Sequence, residues 1–349
     1  MVSRHTVRAA SGCAGCRRVS TARALVQDEV RFWKPRRPGP VLASPKYGTL
    51  RGLLGGMNDE ALLSPYRRAC IERCGGMGDF AIGLVRNRSV GLPRPQLRWG
   101  GPDVMRALIT GGTKGIGRAI ALRLAGDAAE ILLNYSSDDE AARSAFDDVT
   151  AAGGLATLIQ ADACSLEGAN FLAERALAEF GDLDLVVHCA VAAVSGNALG
   201  ADEAAFRVSV EKNGLSFLWL VRACAPLLNE GSSTIFLTSG GASRAVPNYA
   251  PLGLAKALGE AIVRYLAVEL APRGVRVNAV SAAAVDTEAL RAMMPDTAAE
   301  FLKASALRNP SGRALEPTDV GRAIVALASA DASMIQGQVV RVDGGLGLR

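Results

Sequence analysis

The apolar run Ala107-Leu108-Ile109-Thr110 has the length and branching of a buried strand, and it leads directly into Gly111-Gly112-Thr113-Lys114-Gly115-Ile116-Gly117. Behind that turn, Ile116, Ile120, Leu122 and Leu124 recur at helical spacing, with Ala119, Ala121 and Ala125 between them. Strand, glycine-rich turn and helix in that order form the opening unit of an α/β sheet. Gly111 and Gly115 can take positive φ and leave no Cβ in the way of a pyrophosphate. The helix points its free N–H groups and positive dipole end at that anion. The competing reading is a tight strand–helix turn without a ligand.

Further strands are expected at Ile131–Tyr135, Leu155–Gln160, Leu183–Cys189, Thr234–Thr238, Val275–Val280 and Gln338–Val342, with helical segments between them. Such alternation builds a doubly wound parallel sheet, whose ligands sit at the carboxyl ends of the strands. Residues 286–317 are polar-rich and lack a strand, and they are expected to form a helical flap over a substrate.

Charge divides the chain. Residues 1–104 hold 18 Lys and Arg against 7 Asp and Glu, while the remainder holds 21 against 27. The basic part has turn-rich stretches such as Pro35-Arg36-Arg37-Pro38-Gly39-Pro40 and no periodic run long enough for a core. Residues 1–103 are therefore expected to be a poorly structured basic extension. They read as translated upstream sequence with Met105 as the natural start, as an organelle-targeting peptide, or as a basic interaction tail. Two cysteine pairs in it, Cys13/Cys16 and Cys70/Cys74, are too far apart and too poorly framed to suggest a zinc site. Cys164, Cys189 and Cys224 read as free buried thiols. No apolar run approaches the ~18–20 residues of a membrane helix. A cytoplasmic protein with no metal, membrane or nucleic-acid partner is expected, organelle targeting being the alternative.

The segment Asn248-Tyr249-Ala250-Pro251-Leu252-Gly253-Leu254-Ala255-Lys256 places a tyrosine seven residues before a lysine. Pro251 suits the first turn of a helix, which leaves Tyr249 just outside it. The Gly111-x3-Gly115-x-Gly117 loop, Asp162, Asn213, Ser239, Lys256, Val277-Asn278-Ala279-Val280, Asp286-Thr287 and Val342-Asp343-Gly344-Gly345 follow in order. Together they resemble the short-chain dehydrogenase/reductase family, from about Val104 to the C-terminus. Most of that family carries Tyr-x3-Lys, but the corresponding position here is Leu252, which has no proton to give. Tyr249-x6-Lys256 is similar to the enoyl-acyl-carrier-protein reductases of the family, and most similar to the NADPH-using type III.

That resemblance implies a Rossmann-type fold and reduction of the C2–C3 double bond of 2-enoyl thioesters in fatty acid biosynthesis. Another carbonyl or alcohol oxidoreductase, such as a 3-oxoacyl reductase, and a catalytically weak nucleotide-binding protein are the alternatives. It assigns catalysis to Tyr249, Lys256, Ser239 and Asn213, with Lys256 lowering the phenol's pKa. It places the cofactor along Gly111, Thr113, Lys114, Gly115, Ile116 and Gly117, then Tyr135, Ser136, Asp162, Ala190, Lys256, Val285 and Thr287. Tyr135, Ser136 and Ser137 replace the carboxylate that an NAD enzyme usually carries after its second strand, and Lys114 adds positive charge, so NADPH is expected over NADH. The implied partners are an acyl thioester on acyl carrier protein and other copies in a homotetramer, with Leu258, Ile262 and Leu266 as the contacting face. Two departures from the pattern stand out. His188-Cys189-Ala190-Val191 replaces Asn-Asn-Ala-Gly, with His188 read as a polar core residue, and Ala282-Ala283 replaces Pro-Gly.

Overall fold

The computed structural model describes residues 104–348. The expected extension over 1–103, with its four cysteines, lies outside the described residues. Seven strands form one parallel sheet: β1 (Arg106–Thr110), β2 (Glu130–Tyr135), β3 (Leu155–Gln160), β4 (Leu183–His188), β5 (Leu228–Ser239), β6 (Arg276–Ala282) and β7 (Val339–Val342). Their order is β3-β2-β1-β4-β5-β6-β7. The helices are α1 (Gly115–Ala125), α2 (Asp139–Ala151), α3 (Leu166–Phe180), α4 (Glu203–Val210), α5 (Ser216–Cys224), α6 (Ala250–Leu270), α7 (Glu288–Met293), α8 (Ala298–Arg308) and α9 (Pro317–Ala328). Strand order reverses between β1 and β4, which opens a crevice at their carboxyl ends.

Both faces of the sheet are covered, so its strands read as unbroken apolar runs. Neighbouring residues of one strand still point to opposite sides. Leu108, Leu132, Val186 and Phe236 face Leu172, Phe217 and Val263 of α3, α5 and α6. Ile109, Ile131, Val187 and Ile235 face Ile120, Val149 and Ile324 of α1, α2 and α9. Strand β3 has its expected bounds, four others differ by one residue at one end, and β5 and β6 differ more. Strand β5 begins early, at Leu228, because Leu228 pairs with Leu183 before a register shift brings Ser233 opposite Leu185. Strand β6 reaches Ala282 because Ser281 and Ala282 pair with Arg341 and Val342.

Some polar groups inside the sheet are matched closely, Arg276 and Asn278 among them. The buried guanidinium of Arg276 donates to Leu327 O at 2.5 Å and Ala328 O at 2.6 Å, satisfying the last carbonyls of α9. Asn278 donates to Ile335 O and accepts from Gln338 N, which fixes the approach to β7. His188 has neither ring nitrogen hydrogen-bonded. It lies 6.0 Å from the Phe217 ring and 5.9 Å from the Phe236 ring, centroid to centroid. Burial pushes its pKa down to about 3 and so keeps it neutral.

Helix α6 crosses β5 closely at Gly259, where a Cβ would sit 2.2 Å from the Phe236 ring. The expected contact face at Leu258, Ile262 and Leu266 is corrected here. Ile262 and Leu266 are buried in the protein's own core, and Leu258 packs against it. The exposed large apolar residues of α6 are Leu254, Tyr265 and Val268, on a strip of the helix that adjoins Leu258.

Candidate active site

The loop after β1 is built by its glycines and by Asn134. Gly111 and Gly115 have φ of +59° and +49°, in the left-handed region that side chains disfavour. Asn134, buried on β2, accepts from Gly111 N and donates to Ile159 O and Ala161 O, tying the loop to β3. A side-chain oxygen caps each of α2, α3 and α4, from Asp138, Ser165 and Asp202 respectively. Helix α1 differs: Lys114 occupies its N-cap and supplies no side-chain cap. The first amides of α1 are thus left for an anion from outside, which fits a dinucleotide pyrophosphate.

Lys114 is not a free cation. Its Nζ lies 2.5 Å from Asp138 and 2.5 Å from Glu288, and hydrogen bonds to these two carboxylates raise its pKa. Tyr135 hydrogen-bonds Asp139. Two carboxylates therefore stand just beyond the end of β2, at the N-cap and first residue of α2, next to the Tyr135-Ser136-Ser137 stretch that itself carries none. Asp162 accepts from Cys164 N at 3.0 Å and pairs with Lys212 at 3.1 Å. The cap of α3 is Ser165, not Asp162.

Thr110 Oγ1 accepts from Cys189 N and Ala190 N, and so holds the chain leaving β4. Asn213 sits in a five-residue π-helical turn, Glu211–Leu215, between α4 and α5. Its side chain accepts from Ala192 N at 2.8 Å and donates to Ala192 O at 3.0 Å. It braces the segment after β4 and makes no contact with the phenol.

The phenol stands at the N-cap of α6, with Gly253 N donating to Tyr249 O at 2.7 Å. Asn248 before it has φ +55°, a left-handed kink that asparagine tolerates. Tyr249 pairs with Gly196 in a short parallel bridge, and Asn197 accepts from Asn248 N. The Tyr249 hydroxyl lies 3.0 Å from Ser239 Oγ at the end of β5. Gly241 makes room for the ring, since a Cβ there would lie 2.5 Å from it. Sequence reasoning missed Gly196, Asn197, Gly241 and Asn248; the asparagine directly before the tyrosine was the available turn signal.

Lys256 is buried, donates to Leu237 O at 2.7 Å and lies 4.6 Å from the Phe236 ring centroid. The expectation that it lowers the phenol's pKa is corrected. Burial raises the Tyr249 pKa, and only the Ser239 hydrogen bond opposes that rise. Lys256 is not among the groups that shift the phenol. Tyr249 is therefore protonated at neutral pH and available as a donor.

Burial also pushes Lys256 down to about 8, from an ordinary 10.5. Between those values the unfolded chain binds the proton that the folded chain has released. Folding therefore gains stability as pH rises through that window, and the cost of the buried charge is fully present below it. The cofactor-free protein should gain thermal stability relative to a Lys256→Met variant between pH 7.5 and 10. Melting curves that run parallel with pH would show that no buried charge resides at Lys256.

These groups share a cleft of about 430 Å³, walled by the glycine loop, Ala190, Ser239, Tyr249, Leu252, Lys256, Val285 and Thr287. Leu252 is almost fully buried where the ordinary phenol of the family pattern would stand. Thr287 caps α7 through Leu290 N, and Val285 bridges to Leu315. Leu290 and Met293 of α7, Met294 directly after it and Phe301 of α8 complete an apolar wall over the cleft. Thr113, Tyr135, Ser136, Asp162 and Asn213 do not line the cleft. No group of three or more His, Cys, Asp or Glu among the described residues could hold a metal ion, and no helix among them is long and apolar enough to cross a membrane.

A nucleotide-ready crevice beside a buried lysine and a hydroxyl pair defines an oxidoreductase site of the parallel α/β class. Residues 111–347 match the family model described as enoyl-(acyl carrier protein) reductase. The chain belongs to the short-chain dehydrogenase/reductase family. It is 35% identical to an uncharacterized oxidoreductase of Methylorubrum extorquens, over 69% of this chain and 96% of that one. It is 33% identical to 1-cyclohexenylcarbonyl-CoA reductase of Streptomyces collinus, over 69% of this chain and 86% of that one. A crystal structure of a short-chain dehydrogenase from Burkholderia cenocepacia in complex with NADP superimposes with a TM-score of 0.64 at 27% identity, over 72% of this chain and 99% of that one.

Proposed function

We propose that this chain reduces the C2–C3 double bond of a 2-enoyl thioester, using NADPH, with the acyl group carried on acyl carrier protein in fatty acid biosynthesis. The observation that carries this reading is the pair at the end of β5. Among the described residues, Tyr249 is the only phenol that lines the cleft, 3.0 Å from Ser239 Oγ, while the Tyr-x3-Lys position holds buried Leu252. A leucine cannot protonate the alkoxide that forms when a ketone is reduced.

The cofactor, when bound, supplies a hydride for C3 of the substrate. The amides at the start of α1 hold its pyrophosphate, and Lys256 orients its ribose. Tyr249, kept protonated by burial, donates a hydrogen bond to the thioester oxygen as negative charge builds there. Ser239 fixes the rotation of that hydroxyl. The apolar flap wall excludes water and accepts the acyl group.

NADPH is favoured because Ser136 and Ser137 follow β2 directly and because the structural relative above holds NADP. A homotetramer has the outward face of α6 available to it. The test follows NADPH and NADH absorbance with crotonyl and acetoacetyl thioesters side by side. Crotonyl reduction with NADPH should exceed acetoacetyl reduction by at least about tenfold. Faster acetoacetyl reduction would overturn the reading.

A further inference from the structure

A second cleft of about 210 Å³ adjoins the first at the carboxyl ends of β5, β6 and β7, and Gly240, Arg244, Ala282 and Ala283 wall both. Its polar lining is Ser243, Arg244, Ser281, Arg341 and Asp343. Neither arginine has an ion pair or side-chain hydrogen bond with any described residue. The one carboxylate present is engaged elsewhere, since Asp343 accepts from Gly345 N at 2.9 Å and Gly347 N at 3.0 Å. A glycine lies against one guanidinium: a Cβ at Gly240 would be 3.2 Å from Arg244 Nε. At Gly347 a Cβ would meet Asp343 Oδ2 at 2.7 Å and only touch Arg341 Nη1, at 3.4 Å. Two cations without carboxylate partners, with two hydroxyl groups beside them, suit a phosphate, because a guanidinium offers forked donors to its oxygens.

We infer that this second cleft binds the phosphate of a 4′-phosphopantetheine arm, the part common to acyl carrier protein and coenzyme A thioesters. This rests on the thioester reading above. The flexible pantetheine chain separates the phosphate from the thioester sulfur. A substrate reacting at Tyr249 must therefore place its phosphate beyond the reacting cleft. The shared wall at Gly240 and Arg244 makes the second cleft the adjoining cationic recess.

The test compares crotonyl thioesters of pantetheine, 4′-phosphopantetheine and coenzyme A, together with calorimetric binding of pantetheine and 4′-phosphopantetheine themselves. The wild type should show a KM at least about tenfold lower once the phosphate is present, with kcat unchanged. Arg341→Gln should bring the phosphate and phosphate-free KM values together, and Arg341→Lys should restore part of the gap. A wild type that does not distinguish pantetheine from 4′-phosphopantetheine overturns the inference. So does a gain seen only with coenzyme A, which would assign recognition to its nucleotide instead. Tighter binding of 4′-phosphopantetheine with no turnover of any enoyl thioester keeps the phosphate site and removes the reductase reading.

Discussion

A Tyr249→Phe enzyme should turn over a 2-enoyl thioester about 10–10³-fold more slowly than the wild type, the range expected on losing an oxyanion donor or general acid. The substitution keeps the ring that packs against Gly241 and removes only the hydroxyl 3.0 Å from Ser239 Oγ. Cofactor affinity should stay nearly constant, because the glycine loop and Lys256 are untouched. The loss should fall on kcat, since the donor matters where charge develops rather than in the ground state. Single-turnover measurements with the NADPH complex read the chemical step directly. A full-rate phenylalanine enzyme would make Tyr249 a bystander and remove the main reason for preferring enoyl over carbonyl reduction.

Gly117→Ala is expected to be nearly as damaging, at the other end of the cleft. A Cβ at this position would lie 2.1 Å from Gly111 O and 2.9 Å from Gly111 C. Both are backbone atoms of the loop and cannot rotate away as a side chain would. Helix α1 must back off from β1, or the loop must open. Overpacking of this kind costs about 1–3 kcal/mol, and here it also displaces the amides that receive the pyrophosphate. Dinucleotide affinity should fall by at least about tenfold, with a lower melting temperature. Fluorescence titration with NADPH and a thermal melt check both. Unaltered affinity would show that the first turn of α1 does not hold the cofactor.

The sheet and its helices were legible because their signals are local. Ala107–Ile109 is apolar throughout, Gly111 and Gly115 sit where only glycine turns cheaply, and Pro251 marks the start of α6. The spacing of Tyr249 and Lys256 also survives translation into space, as both line one cleft. What could not be read depends on distant partners. Lys114 looks like a spare cation until Glu288, 174 residues on, is seen beside it. The π-helical turn at Asn213 adds a residue that a 3.6-residue period does not register. The face of α6 was misjudged because Ile262 and Leu266 are as apolar as an interface requires, and only the packing of β5 and α5 shows that they are already enclosed. The second cleft gathers Arg244, Ser281 and Arg341 from three strand ends, with no motif to announce it.

Because all seven strands run the same way, everything that touches a ligand emerges on one rim. The two apolar clusters that hold the molecule together line the faces of the sheet below that rim. The segments at residues 188–191 and 282–283, where this chain departs from its family's usual sequence, both belong to the rim. Substrate preference and foldability are thereby carried by largely separate sets of residues. A directed-evolution library confined to residues 240–248 and 289–294 would vary what the enzyme accepts while leaving its folding machinery unsampled. A natural lineage could change substrates the same way.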